Sequence, residues 1–399
     1  MCRPAADTRP RVTLADIVRV SGHAVTRTQR LATVQRVALR AIVACRTAAL
    51  GGHAETCDHC GVTRVTYHSC RNRHCPTCQT TARDRWLDAR RAELLPIPYF
   101  HVVFTLPHTL NALAEGNPRV VYDLLFRAAT DTLLAFGRDP RHLGGTLGVT
   151  AILHIWGQTL TQHLHLHCVV TGGALSRDGT RWIPARRRYL FPVRALGAVF
   201  RARYLEGLRR AHDAHRLTFA GGTAPLAESG GWHGFLDTLH AQPWVVYAKP
   251  PFGGPARVLA YLARYTHRVA ITNARLVDLV DGVVRFRWKD YAAQDREKIL
   301  TLTAQEFLRR FLLHVLPTRF VRIRHAGLFG NHHRHARLER CRALLGAPPT
   351  TPPPAEPGPL QAPPAPDRCP LCGQGTMRLT TVLAPLRIES RALRTPDPP

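Results

Sequence analysis

Lysine is nearly missing from this chain. Among 55 basic residues only Lys249, Lys289 and Lys298 are lysines, so the positive charge is carried almost wholly by arginine. Acids are short as well, 27 against those 55, which leaves a formal net charge of +28 with histidine neutral. A compositional bias toward Ala, Arg and Pro accounts for part of the arginine-for-lysine skew, but not for the shortage of acids. A surplus this large points to a polyanionic partner, held by phosphate neutralisation and counterion release. The planar guanidinium fork suits phosphate better than a point charge does. No apolar run approaches the ~18 residues of a membrane-spanning helix. The opening MCRPAADTRPRV lacks the apolar core of a signal sequence, and the expectation is a cytoplasmic protein. Eleven cysteines in 399 residues are too few for a small disulfide scaffold. Six of them fall in CxxC pairs, which in a reducing compartment read as metal ligands.

The length suits two or three domains. Helical spacing of Leu31, Val34, Ala38, Ala41, Ile42 and Cys45 predicts a helical leader over 11–50, ended by Gly51-Gly52. A Cys/His-dense segment with little core follows at 53–80, then a connecting helix at 84–95 stopped by Pro96 and Pro98. Beyond it, strands are expected at 100–106, 149–156, 165–171 and 244–248. Helices are expected within 117–136 and at 194–216, 232–241 and 303–315. Arg257–Arg264 starts another helical stretch, and 269–288 reads as a hairpin turning at Asp281-Gly282. Strands interleaved with helices make the fold class α+β, with a mixed or antiparallel sheet. The expected domains are an N-terminal part with the Cys/His-dense segment at 1–95, a larger α+β part at 96–346, a proline-rich linker at 347–367 and a short CxxC tail at 368–399.

Four constellations carry chemistry. Cys57-x2-Cys60 and Cys75-x2-Cys78 have the spacing of two knuckles delivering four thiolates to one zinc. Cys70, His53, His59 and His74 stand by as spare ligands, and Cys369 and Cys372 supply half a site that would need help from elsewhere, such as Cys341. His163, His165 and His167 alternate on a strand and so share one face. The outer two are ~13 Å apart on a straight strand, so only neighbouring imidazoles can bind one ion. If the intervening loop is 159–164, Gln158 pairs across the hairpin with His165 and becomes the third ligand. Imidazole with oxygen ligands accommodates Mn, or Mg where phosphate contributes. Tyr261 and Tyr265 sit at i, i+4 beside Arg264, His267 and Arg268, on one face if helical. Their bland reading is core packing; their functional one is nucleophilic attack aided by nearby cations. Finally, 318–342 is rich in Arg and His against a single acid, Glu339. Arg319, Arg322, Arg324 and Arg334 there, with Arg264 and Lys249, are the candidate DNA contacts.

Together these motifs resemble the HUH rolling-circle transposases, specifically the two-tyrosine IS91 insertion-sequence family. The resemblance runs from about Leu14 to Leu345. It is carried by CRTAALGGH, YHSCRNRHCPTCQ, FHVVFTLP, WGQTLTQHLHLHCVVTGG, WVVYAKPPFGGPARVLAYLARYTHRVAI and FLLHVLPTRFVRIRHAGLFGN. Leu164 departs from the proline that the family usually has there. The resemblance implies His165 and His167 as the HUH metal pair, Tyr261 and Tyr265 as nucleophiles with Arg268 beside them, a structural zinc and a catalytic Mg or Mn ion. It implies an antiparallel sheet backed by helices, preceded by a small helical zinc-binding domain. It further implies nicking of single-stranded element ends through a 5′-phosphotyrosine and rolling-circle strand transfer. DNA, as element ends and target, is then the partner in a bacterial cytoplasm at the nucleoid, with no small-molecule substrate and with room for self-association. A plasmid replication initiator or relaxase of the same chemistry, and a non-catalytic zinc-dependent DNA-binding regulator, are the alternatives.

Overall fold

The computed structural model describes residues 12–78, 93–186, 189–252, 257–258, 270–290, 293–348 and 368–386. It divides into one unit of residues 1–82, 267–315 and 352–399, and a second of residues 83–266 and 316–351. The expected connecting helix at 84–95 lies almost wholly outside the described residues, as do Tyr261, Arg264, Tyr265 and Arg268. No described helix is long and apolar enough to cross a membrane.

In the first unit the expected single leader is two helices, α1 (Leu14–Thr28) and α2 (Thr33–Ala44). α1 opens on a reciprocal cap: the Asp16 amide donates to Thr13 Oγ1 at 3.3 Å, and the Thr13 amide donates to Asp16 Oδ2 at 2.9 Å. Its apolar stripe buries Leu14, Ile17, Val18 and Val25. Two strands follow, β1 (Gly52–Cys57) and β2 (Thr63–Tyr67), paired antiparallel.

The second unit is built on an antiparallel sheet, and its class is the α+β expected from the sequence. Its first elements are β3 (Tyr99–Thr105), α3 (Asn111–Gly116), α4 (Pro118–Arg138), β4 (Gly145–Thr146), β5 (Gly148–Trp156) and β6 (Gln162–Thr171). After these come β7 (Gly173–Ser176), β8 (Trp182–Pro184), α5 (Val193–Asp213), α6 (Ser229–Ala241) and β9 (Val246–Phe252). The chain then returns to the first unit for β10 (Leu276–Val280), β11 (Val283–Asp290), β12 (Arg296–Thr303) and α7 (Ala304–Leu312). Asp281 and Gly282 both have positive φ, 49° and 75°, which gives the expected tight turn between β10 and β11. β12 was not expected: none of its residues is buried, and only Leu300 and Leu302 are half-buried. α7 is capped by Thr303, whose hydroxyl accepts the Glu306 amide at 3.2 Å. The second unit closes with β13 (Ile323–Gly327) and α8 (Arg334–Leu344).

The five-stranded sheet has the order β13-β5-β6-β3-β9. One face carries Phe100, Val102 and Phe104 from β3, Ala151 and Leu153 from β5, and Leu164, Leu166 and Cys168 from β6. These pack with buried residues of α4 and α5, including Leu125, Phe126, Phe200 and Tyr204. Phe104 meets Phe200 edge to face at 4.9 Å. The strand period of two therefore sends the alternate residues, histidines among them, to the opposite face. The far end of that face is apolar, with Ile152, Val169, Tyr99 and Val258 clustered against Leu338 of α8.

Residues 267–315 belong with the N-terminal unit, and the tail is not a separate piece. Its strand β14 (Met377–Leu383) pairs with β1, so the order there is β14-β1-β2. Phe104→Ala, by emptying the centre of the core behind the five-stranded sheet, is expected to cost about 3–5 kcal/mol. Urea unfolding followed by tryptophan fluorescence checks this; a loss below about 1 kcal/mol contradicts the packing described.

Candidate functional site

The histidine site is made by strand pairing. β5 and β6 are joined by a turn at 157–161, in which the Gly157 amide donates to the Thr161 carbonyl at 2.9 Å and Leu160 takes φ +61°. Trp156 pairs with Gln162, and after a bulge His154 pairs with His165. The place directly opposite His165, expected for Gln158, is thus held by His154. Gln158 sits in the turn, because the loop closes earlier than expected and β6 starts at Gln162.

His154, His165 and His167 each offer a ring nitrogen, and these atoms lie within 4.8 Å of one another. All three residues are buried, at 3%, 9% and 8% exposure. Ring centroids are 4.5 Å apart for His154 and His167, and 4.8 Å for His165 and His167. His163 stays outside the trio, as the strand rise requires. Its ring lies 4.8 Å from that of His165 and 5.3 Å from His108.

Hydrogen bonds fix which nitrogen each ring turns to the centre. His165 Nδ1–H donates to the His163 carbonyl at 2.8 Å, which leaves the ligand role to Nε2. His167 Nδ1 bonds Nε2 of His101 from β3 at 2.8 Å, and the same logic applies. Burial pushes His101 down to about 3, helped by the charges of Lys249 and His165. Burial likewise pushes His165 down to about 4, with His163 adding to the effect. Imidazoles gathered on one buried face suit a divalent cation: three protein ligands with positions open to water or phosphate. Neither His154 nor His101 was singled out from the sequence. The signal was present, since both lie in strands and His101 falls within FHVVFTLP.

The arginines separate into two groups. Arg322 stacks its guanidinium 6.0 Å from the Trp156 ring, and Trp156 in turn stacks on His154 at 5.1 Å. Arg319 and Lys249 are exposed, with Lys249 directly across the ladder from His101. Arg324, by contrast, is paired to Asp123 and lies over Phe126 at 4.1 Å, while Arg334 is 3.1 Å from Glu93. Both guanidinium groups are thus engaged in partly exposed ion pairs within the second unit.

The expected zinc quartet does not converge. Cys75 and Cys78 join Cys45 and Cys70, while Cys57 and Cys60 point elsewhere. Cys45 caps the end of α2, and Cys70 follows β2. The Cys78 sulfur lies 3.4 Å from Cys45 and 3.6 Å from Cys70. Four sulfurs about 2.3 Å from a tetrahedral zinc stand ~3.8 Å apart, so this quartet fits the ion. A hydrogen bond from Cys70, with others from backbone amides, brings the Cys75 thiol down to about 5, while burial raises Cys45 to about 12. A dication held by these residues would offset the repulsion that keeps the others protonated.

Two outcomes follow. In metal-free protein the lowered histidines make stability fully present above the ordinary imidazole value of ~6.5 and lost as pH falls toward their folded values. The urea midpoint should therefore drop between pH 6.5 and 5, and drop less in His101→Gln; a flat midpoint in the wild type contradicts burial of neutral rings. His101→Ala should weaken Mn2+ binding, read by calorimetry, by ~10–100-fold, as loss of a ligand-orienting partner does. Unchanged affinity removes His101 from the site.

A family model described as "Putative transposase" matches residues 148–337, which span the histidine trio. Another, described as "Transposase zinc-binding domain", matches residues 17–106. The chain is 51% identical over 378 residues to "Putative transposase y4qJ" of Sinorhizobium fredii (strain NBRC 101917 / NGR234), covering 91% of this chain and 94% of that one. It is 29% identical over 369 residues to the "Transposase for insertion sequence element IS801" of Pseudomonas savastanoi pv. phaseolicola, covering 87% and 84%. No solved structure matches it. With a zinc-binding part at one end of the match and a buried histidine trio in the other, the chain belongs to the IS91-type insertion-sequence transposases.

Proposed function

We propose that this transposase nicks one DNA strand at the element end and holds it on a tyrosine, then transfers it by a rolling-circle route. The observation that carries this reading is the buried trio His154, His165 and His167, a metal-ligand set on the face of an antiparallel sheet. A divalent ion bound there, Mn2+ or Mg2+, would supply Lewis acidity toward a phosphodiester oxygen. Three imidazoles favour manganese over magnesium, whose preferred ligands are oxygens. Val258, three residues before Tyr261 in the sequence, is buried in the apolar cluster with Ile152 and Val169.

The chain's own groups then divide the work. The phenol oxygen of Tyr261 or Tyr265 bonds to phosphorus as its proton leaves. The bond from phosphorus to the 3′ oxygen breaks, and that oxygen takes up a proton. The strand end is left as a 5′-phosphotyrosine beside a free 3′-OH. The energy of the broken ester is kept in the new one, so rejoining needs no ATP. Arg264 and Arg268 neutralise phosphate beside the phenols, and Arg322, carried on Trp156 next to His154, does so at the metal face. Arg319 and Lys249, both exposed, track the backbone of the bound strand. Work on DNA in bacteria places the protein in the cytoplasm, at the nucleoid.

A plasmid initiator would use the same chemistry, but the 51% relative and the transposase zinc-binding match favour transposition. A purely DNA-binding regulator has no use for three buried imidazoles at one point.

The test is incubation with single-stranded element-end oligonucleotides and Mn2+, followed by denaturing electrophoresis. Wild type should give a covalent protein–DNA adduct. Tyr261→Phe and Tyr265→Phe should each retain some adduct yet fail in full transposition, since a second cut is needed while the first end is held. The double variant should give none, because phenylalanine keeps the ring and removes only the nucleophilic oxygen. Adduct from the double variant would refute tyrosine catalysis. Full transposition by one single variant would reduce the scheme to one nucleophile.

A further inference from the structure

The two family matches end before the C-terminal knuckle, covering residues 17–106 and 148–337. That knuckle nevertheless sits against the N-terminal strands. We propose that Cys57, Cys60, Cys369 and Cys372 bind a second zinc ion that fastens the C-terminal segment to the zinc-binding domain.

The geometry is that of a tetrahedral thiolate site. All four sulfurs lie within 4.8 Å of one another, with Cys57 to Cys372 at 3.8 Å and Cys60 to Cys369 at 3.7 Å. Those separations match the ~3.8 Å edge of a zinc–thiolate tetrahedron and are far from the ~2.05 Å of a disulfide.

The two halves are built alike. Each is Cys-x2-Cys-Gly, and each glycine has positive φ, +71° at Gly61 and +65° at Gly373. Gly61 donates its amide to the Cys57 carbonyl at 3.1 Å, and Gly373 donates to the Cys369 carbonyl at 2.9 Å. Backbone amides also point at sulfur: His59 and Cys60 to Cys57 Sγ, and Gly375 to Cys372 Sγ, each at 3.4 Å. Such donors stabilise thiolate, the form a metal binds. The halves are locked together besides, since Asp58 accepts the Thr376 amide at 2.8 Å and Arg378 Nε at 3.0 Å. A Cβ at residue 375 would lie 2.4 Å from Cys57 Sγ, so the approach depends on glycine there.

Apolar burial cannot hold this segment in place. In β14 only Met377 is buried, and the cluster around it otherwise consists of Cys57 and Cys369, with Val62 and Cys372 against it. A strand whose side chains face water, returning across a sequence separation of 309 residues between Cys60 and Cys369, needs another source of free energy. Metal binding in a core-poor module supplies it.

The experiment is metal analysis of the full chain, wild type against Cys369→Ser/Cys372→Ser. The double variant should carry one zinc equivalent less per chain, with Cys45, Cys70, Cys75 and Cys78 still protected from alkylation. Equal zinc in both proteins, or iron in place of the lost zinc, would overturn the assignment. If the variant loses more than one equivalent through misfolding, alkylation of the zinc-loaded wild type decides. Cys57, Cys60, Cys369 and Cys372 should resist iodoacetamide and become reactive together on chelation. Prompt labelling of Cys60, which is exposed, would overturn it.

Discussion

Three imidazoles held on one buried face are the constraint on which the unit built on the five-stranded sheet depends. Burial removes water from His154, His165 and His167, and polar groups so placed must find partners. The sheet solves this in two ways. It sets His154 across the ladder from His165, and it spends His101 and the His163 carbonyl on orienting the neighbouring rings. Because strand side chains alternate, the same registers force Leu164, Leu166 and Cys168 into the opposite face. The helices α4 and α5 covering that face thus support the site without touching it. This is the division expected of a precise centre: rigid strands carry the ligands, and packing behind them fixes the rotamers.

That His165 and His167 share one face was legible in the sequence because a period of two needs no tertiary knowledge. The third imidazole needed the register. Moving the turn from 159–164 to 157–161 brings His154 opposite His165 and leaves Gln158 at the tip. Nothing local to Gln158 marks that difference: the Leu160 backbone at positive φ and the bulge before Trp156 are tertiary choices. Arg324 and Arg334 looked like a basic stripe, and composition alone could not reveal Asp123 and Glu93 beside them. The strand β12 escaped because neither of its faces is apolar.

The cysteines carry the same lesson at longer range. Spacing along the chain joined Cys57 and Cys60 to Cys75 and Cys78, the nearest available pairs. In space each pair takes other partners, Cys369 and Cys372 for the first and Cys45 and Cys70 for the second. A count held the clue, since an orphan CxxC and two spare single cysteines complete two quartets where one had been supposed. The N-terminal unit is accordingly assembled from three stretches of chain, and its strand order β14-β1-β2 brings distant sequence into one small sheet.

The central claim is that one ion is held by three imidazoles, His154 among them. X-ray absorption spectroscopy of the manganese-loaded protein, with the multiple-scattering pattern of coordinated imidazole counted, tests it most directly. Three imidazole rings are expected in the first coordination shell, with oxygen filling the rest. Two rings, with oxygen ligands making up the remainder, would contradict it and return the third position to an oxygen donor such as Gln158.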